Sequence, residues 1–352
     1  MICMVDLAAR HAGVAAGVER RVLEVLRTGV YVGGPVVADA ERTLAAAFGW
    51  PLAVGVNSGT DALVLALQLA GVRAGDEVIV PAVTFFATAG AVVRAGGVPV
   101  IADVREDVPL LDAQTLPLGP RTRAVVAVHL YGGHCAIPDP GVPVVDDASQ
   151  AVGATPPART GCIGAASLYP TKTLGAAGDS GVVLCAEEST RERARRLANH
   201  GQLAPHDHHA VDGLVGTNSR MDAVQAAVLL AHAEALTARV ARRRTLAARY
   251  DDALPGWMRR LPRDAGHPVH QYVVRVPARE RVRAALLEAG IETAVYYPRP
   301  LGDQPALAAG SRTPTPNADA FCREALALPV HEGLSDADTT RVIEACHRMG
   351  TP

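Results

Sequence analysis

The 352-residue chain carries 33 arginines and one lysine, Lys172. Guanidinium serves surface charge, ion pairs and phosphate contacts, but it stays protonated and is a poor nucleophile. An amine can shed its proton and add to a carbonyl. A chain that uses Arg almost wherever it needs positive charge therefore points to covalent chemistry at its single lysine. The plain alternative is compositional drift that spared one residue. Lys172 lies in SLYPTKTLGAAGDSG (167–181), after an apolar run and before a Gly-rich stretch that allows close backbone approach to a ligand.

Two further segments carry chemistry. NSGTDALVLAL (57–67) follows an apolar run and opens a helical pattern, which puts Ser58, Gly59 and Thr60 at a helix N-terminus. Free N–H groups and the helix dipole favour an anion there, although an ordinary N-cap with Asp61 in the first turn has the same pattern. VVDDASQ (144–150) places Asp146 and Asp147 at the end of an apolar strand. Open α/β sheets bind ligands at that edge. Successive strand residues face opposite sides, so only one of the two carboxylates faces a site. A structural ion pair or a turn would also explain them. Together the three segments fit one cofactor. Pyridoxal phosphate needs a lysine for its aldehyde, a carboxylate to keep its ring nitrogen protonated and an anion cradle for its phosphate. Phe85 in TFF (84–86), at the end of another apolar run, offers a face for stacking.

These residues need elements to position them. Short apolar runs recur at 52–56, 77–81, 98–103, 124–129, 143–146, 165–169 and 181–185, with helical stretches beginning near Thr60, Phe85 and Ser189. Apolar strands without in–out alternation, separated by helices, predict a mostly parallel sheet covered on both faces. Helices are expected at about 17–27 and 38–48, and one long helix from Asp222 to about Tyr250. The remainder reads as a strand at 271–276, a helix at 280–289, a strand at 292–297 (ETAVYY) and a last helix at 337–349. The expected division is a large cofactor-binding domain over 1–235, then a bridging helix and a small domain over 236–352.

Composition excludes several classes. Apolar residues make up 49% and charged residues 20%, which fits an ordinary globular protein. A net charge of −2 lacks the electrostatic footprint of a nucleic-acid binder. No apolar run reaches the roughly 18–20 residues of a membrane span, and the N-terminus lacks a secretory pattern. Six scattered cysteines without a CxxC pair fit free thiols in the cytoplasm. HDHH (206–209) lacks the i, i+4 spacing of a helical ligand pair, so a solvated loop and no metal are expected. ARRR (241–244) reads as an exposed helix end.

With its segments taken in order, the sequence resembles the DegT/DnrJ/EryC1/StrS family of pyridoxal-phosphate-dependent sugar aminotransferases nearly end to end. The resemblance is carried by GVYVGGP (29–35), AVGVNSGTDAL (53–63), GDEVIVPAVTFFATA (75–89), HLYG (129–132), DDASQAVGA (146–154), SLYPTKTLGAAGDSG (167–181), NHG (199–201), GTNSRMDAVQAA (216–227) and YYPRPLGDQPAL (296–307). It implies the α/β fold-type-I architecture: a mostly parallel sheet of seven-stranded type between helices, plus a smaller C-terminal α/β domain. It implies that Lys172 joins the cofactor and shuttles the proton, that Asp147 partners the pyridinium, and that Gln150 contacts the cofactor's hydroxyl side. Phe85 matches the stacking position, and Gly59, Thr60 and Ser167 match phosphate contacts. Asn218 matches a phosphate contact supplied by the neighbouring subunit, which implies a homodimer with shared sites. Arg220 beside it is matched with the donor's carboxylate, and Tyr31 and Tyr297 are substrate candidates.

The implied reaction moves an amino group from L-glutamate or L-glutamine to a keto sugar. The expected acceptor is a nucleotide-linked 6-deoxy keto sugar on a route to an amino-sugar secondary metabolite. A keto-cyclitol acceptor of the inosose type and a non-catalytic sensor that keeps the fold are the alternatives. Pyridoxamine-dependent sugar dehydration is disfavoured, because relatives of that kind lack the lysine. The sequence departs from the family pattern at Asp146, where Glu is usual, and at Ser149, where Ala is common. Tyr296 and Gly302 replace two histidines of a loop near the substrate, which leaves the acceptor open.

Overall fold

The computed structural model describes residues 1–307 and 311–350. Three helices open the chain: α1 (Leu7–Ala12), α2 (Ala15–Thr28) and α3 (Gly34–Phe48). Gly29 ends α2 at φ 70°, a left-handed cap that only glycine adopts without strain. Seven strands follow: β1 (Leu52–Val56), β2 (Glu77–Pro81), β3 (Val98–Ala102), β4 (Thr122–Val128), β5 (Val144–Asp147), β6 (Ile163–Ser167) and β7 (Gly181–Cys185). Helix α4 (Gly59–Leu69) leaves β1, α5 (Ala87–Arg94) leaves β2, and α6 (Glu188–Ala198) leaves β7. A short hairpin of β8 (Gln202–Ala204) and β9 (Asp207–His208) leads into α7 (Ala223–Glu234) and α8 (Leu236–Ala253). The chain ends with β10 (Arg259–Arg260), β11 (Tyr272–Arg275), α9 (Arg279–Glu288), β12 (Ser311–Arg312), α10 (Pro316–Glu324), β13 (Ala325–Leu328) and α11 (Asp336–Arg348).

The main sheet has the order β1-β7-β6-β5-β4-β2-β3, and the two-residue β12 extends it beyond β3. Strand β7 runs antiparallel to both its neighbours, and the other pairings are parallel. The strands are buried along nearly their whole length. Helices on both faces leave no solvated side, so the apolar runs show no alternation. One cluster packs Leu63, Leu67, Val80, Val92 and Val125 on one side of the sheet. A second packs Leu44, Phe48, Leu184 and Leu229. A third core, with Tyr250, Tyr272, Leu286, Leu328 and Val342, surrounds the antiparallel sheet β10-β11-β13 and takes in Ile2 from the start of the chain.

Three expectations need correction. The long helix from Asp222 to Tyr250 is two helices, broken at Ala235 (φ −94°, ψ −2°). There the Ala235 N–H bonds the His232 carbonyl at 3.3 Å, a tightened i→i−3 contact that interrupts the ladder without Gly or Pro. ETAVYY forms no strand: Ala294 alone pairs with Ala327, and Tyr296 instead offers its carbonyl to the Tyr131 hydroxyl. ARRR (241–244) is not an exposed helix end: it lies within α8, and Arg243 is buried. The strand that fills the small sheet is β13, preceded by α10.

Candidate active site

The carboxyl ends of β1, β2, β5 and β6, with the amino end of antiparallel β7, share one edge of the sheet. A cavity of about 440 Å³ opens there, within the usual range for a small-ligand site. Eight of the residues matched to cofactor or substrate roles in the sequence line it: Gly59, Thr60, Phe85, Asp147, Gln150, Ser167, Lys172 and Tyr297.

The two aspartates separate as strand parity requires. Asp147 faces the cavity, where its Oδ2 accepts from Thr88 Oγ1 at 3.2 Å and its Oδ1 from Ser149 N at 3.2 Å. Thr84 and Thr88 hydroxyls lie 3.0 Å apart behind it. Asp146 turns the other way and is fully buried. It accepts from Thr160 N (2.9 Å) and Gly161 N (2.7 Å) and meets His129 Nε2 at 3.0 Å. Because His129 Nδ1 accepts from Cys135 N at 3.1 Å, Nε2 carries the proton and donates to Asp146. Asp146 is therefore structural.

Lys172 hangs from the loop between β6 and β7, with its own N–H bonded to the Tyr169 carbonyl at 2.8 Å. Burial lowers its pKa below the ordinary lysine value, and the nearby Asp147 charge opposes that shift. Helix α4 ends on the same cavity. Ser58 Oγ takes the Asp61 N–H at 3.1 Å, and the first intrahelical bond runs from Ala62 N to Ser58 O. The N–H groups of Gly59 and Thr60 precede that bond and remain as donors to a ligand. A Cβ at Gly59 would stand 2.5 Å from Ser167 Cβ, so the helix can approach β6 only through glycine.

The cavity mouth is aromatic. Phe85 is 59% exposed, with its ring centroid 6.2 Å from that of Tyr297. Gln150 Oε1 accepts from Tyr131 N at 2.6 Å, and the Gln150 side chain also bonds the Tyr297 hydroxyl. Burial and the Asp147 charge push the Tyr297 phenol well above its ordinary value. His270 lines the wall and is held neutral by burial and by the positive charges of Lys172, Arg243 and Arg10.

Tyr31, Asn218 and Arg220 do not line this cavity. Arg220 bonds Asn218 Oδ1 (3.3 Å) and Asn199 Oδ1 (2.9 Å). It lies in a second cleft with Gly33, Glu41 and Arg195. Tyr31 is 50% exposed, and its carbonyl accepts from Ala223 N nearby. Ser58, placed at the helix N-terminus by the sequence, lines the first cavity too, as do Thr84, Thr88, Ser149, Tyr169, His270 and Gln271, which have no site role in the sequence reading. HDHH carries no metal-binding group among the described residues: His209 pairs with Asp207 at 2.7 Å and His208 with the His200 carbonyl.

Residues 15–347 match the model of the DegT/DnrJ/EryC1/StrS aminotransferase family. The chain belongs to that family. It is 38% identical to the dTDP-3-amino-3,4,6-trideoxy-alpha-D-glucose transaminase of Streptomyces venezuelae, over 97% of this chain and 94% of the relative. It is 36% identical to the UDP-2-acetamido-2-deoxy-3-oxo-D-glucuronate aminotransferase of Pseudomonas aeruginosa, over 96% and 97%. Its fold superposes on the crystal structure of S. venezuelae DesV in complex with a ketimine intermediate, with a TM-score of 0.91, 35% identity and 99% and 98% of the two chains covered. The fold-type-I aminotransferase architecture expected from the sequence is thus the one this family member adopts.

Proposed function

We propose that this aminotransferase holds pyridoxal phosphate through Lys172, Asp147, Phe85, Gln150, Ser167, Gly59 and Thr60. One observation carries the reading: a lysine of lowered pKa, a carboxylate with lone pairs to spare and a helix N-terminus offering the Gly59 and Thr60 N–H groups open on the same cavity. The cavity fits the group. Gly59 keeps the cradle open where a Cβ would close it against Ser167. Asp147 accepts two hydrogen bonds and keeps acceptor capacity for a ring N–H.

When bound, pyridoxal phosphate supplies an aldehyde for an amine and an electron sink for the carbon that loses its proton. The chain's own residues do the rest. Lys172 Nζ is the group that would join the cofactor and then move the proton at the donor's Cα. Its lowered pKa makes the free amine available at a lower pH than on an exposed lysine. Asp147 would offer its carboxylate to the ring nitrogen, and Phe85 would cover a ring face and limit water.

We infer that the donor is L-glutamate or L-glutamine and the acceptor a nucleotide-linked 6-deoxy keto sugar. Relatives named for dTDP- and UDP-linked sugars support the class. The aromatic rim of Phe85, Tyr169, Tyr296 and Tyr297 suits an acceptor with C–H-rich edges. We also propose a cytoplasmic homodimer in which Asn218, Arg220 and Tyr31 complete the other subunit's site. Their position outside this chain's own cavity supports that, as does the exposed apolar turn Val30–Tyr31–Val32 beside them. Among the described residues no helix is long and apolar enough to cross a membrane.

The test is to load the protein with pyridoxamine phosphate and offer it a dTDP-linked 6-deoxy keto sugar, a UDP-linked keto uronate and a keto-inositol, identifying products by mass and NMR. Amination of the 6-deoxy sugar is expected. Amination of the uronate or cyclitol alone would overturn the acceptor assignment. A pyridoxamine-loaded protein that aminates nothing, and whose pyridoxal-loaded form keeps its visible band with both donors, would favour a sensor.

A further inference from the structure

We infer that Glu332 is a positioning residue for Lys172, acting through Arg10 and Arg243 to fix the lysine's loop against the loop that carries His270. The inference rests on Lys172 being the residue that joins the cofactor. Arg10 on α1 is only 4% exposed, and its Nη1 donates to the carbonyls of both Pro170 (2.8 Å) and Lys172 (2.7 Å). Its Nε donates to Glu332 Oε1 at 2.5 Å. The other oxygen of Glu332 accepts from Arg243 Nη2 at 3.1 Å. Arg243 Nη1 in turn donates to the carbonyls of His270 (3.0 Å) and Val330 (2.9 Å). His270 Nδ1 lies 3.1 Å from Thr173 Oγ1, one residue past Lys172, which closes the circuit.

The circuit meets a physical need. Lys172 stands in an irregular loop followed by LGAAGDSG, with no helix or strand to hold its backbone. Carbonyls in such a loop have no ladder partners, and charge-assisted bonds from a buried guanidinium are strong substitutes. Both guanidiniums depend on one carboxylate. Burial pushes Glu332 up, but Arg243 and Arg10 outweigh it and bring its pKa down to about 2. Glu332 is thus ionised at any working pH. Removing its charge leaves buried cations unpaired and frees both cavity walls at once. A site group needs its place held to within roughly 0.5 Å.

The experiment compares Glu332→Gln, Arg10→Gln and Arg10→Lys with Arg242→Gln. Arg242 lies on the same helix and bonds the Leu334 carbonyl (2.6 Å) and Asp336 (2.8 Å), but reaches neither loop. Each holoprotein is followed for cofactor release, for the rate and donor KM of bleaching by L-glutamate, and for apoprotein melting. Glu332→Gln and Arg10→Gln are expected to release cofactor about tenfold faster and to bleach about tenfold more slowly, with donor KM little changed, as misplacement predicts. Arg10→Lys keeps the charge without the fork and is expected to fall between Arg10→Gln and the parent. Arg242→Gln is expected to lose melting temperature without these losses. The inference is overturned if Glu332→Gln releases and bleaches at the parent's rates. It is equally overturned if release follows melting temperature across all four variants. Should Glu332→Gln fail to fold, Arg10→Lys and Arg242→Gln make the same comparison. A parent protein with no reducible bond at Lys172 would instead sink the cofactor assignment, which separates the two failures.

Discussion

At the residue scale the site depends on what each side chain can do that its nearest substitute cannot. Lys172→Arg keeps the positive charge and removes the nucleophilic amine, so turnover is expected to fall by about 10³-fold or more, measured as steady-state amination. Asp147→Asn keeps the shape but loses the charge and one of the two oxygens that accept from Thr88 and Ser149. Bleaching by L-glutamate is expected to slow by about 10²-fold, with the protein still coloured. Gly59→Ala drives a methyl to 2.5 Å from Ser167 Cβ. It should cost about 1–3 kcal/mol of stability and weaken cofactor binding, read by melting and by titration. The lowered pKa of Lys172 has a sign that can be checked. The rate at which apoprotein combines with cofactor should rise with pH through a midpoint below 10.5; a midpoint at or above that value would contradict burial as the cause. Lys172 was legible because the chain spends lysine nowhere else, and Asp147 because strand parity allows only one of two adjacent carboxylates to face a site. Thr88 and Ser149 were not, since a hydroxyl 59 positions before its partner and a backbone N–H carry no local pattern.

Elements were legible where packing imposes a period and obscure where tertiary contacts override it. The strands at 52–56, 77–81 and 181–185 match the apolar runs because a parallel sheet buried on both faces demands them. The break at Ala235 lacks a Gly or Pro to announce it. ETAVYY has the β-branched and aromatic content of a strand, yet Tyr296 and Tyr297 are drawn to the cavity, and the ladder position is taken by β13. The Arg10–Glu332–Arg243 contacts tie α1 and α8 to the C-terminal segment. Since the folded-state pKa of Glu332 drops from 4.5 to about 2, its contribution is present above the ordinary carboxylate range and is lost as pH falls toward 2. The melting temperature of the parent should therefore decline over that window more steeply than that of Glu332→Gln. Parallel curves for the two proteins would remove Glu332 from the fold's acid sensitivity.

At the scale of the whole molecule, we propose the division 1–235 and 236–352, with the helix break at Ala235 as the joint, and a dimer that shares its sites. Asn218→Ala and Lys172→Arg damage different halves of a shared site. Mixing the two inactive proteins under conditions that exchange subunits should restore a measurable fraction of parent activity in the mixed dimer. No recovery, with exchange verified by mass, would place Asn218 in its own subunit's chemistry or in none. Reduction of the cofactor-loaded protein with borohydride, followed by peptide mass mapping, bears most directly on the lysine. The chain has one lysine, so the expected result is a single pyridoxyl mass on the peptide containing Lys172. A coloured, loaded protein that leaves that peptide unmodified, or carries the adduct only on its amino terminus, would contradict the assignment of Lys172.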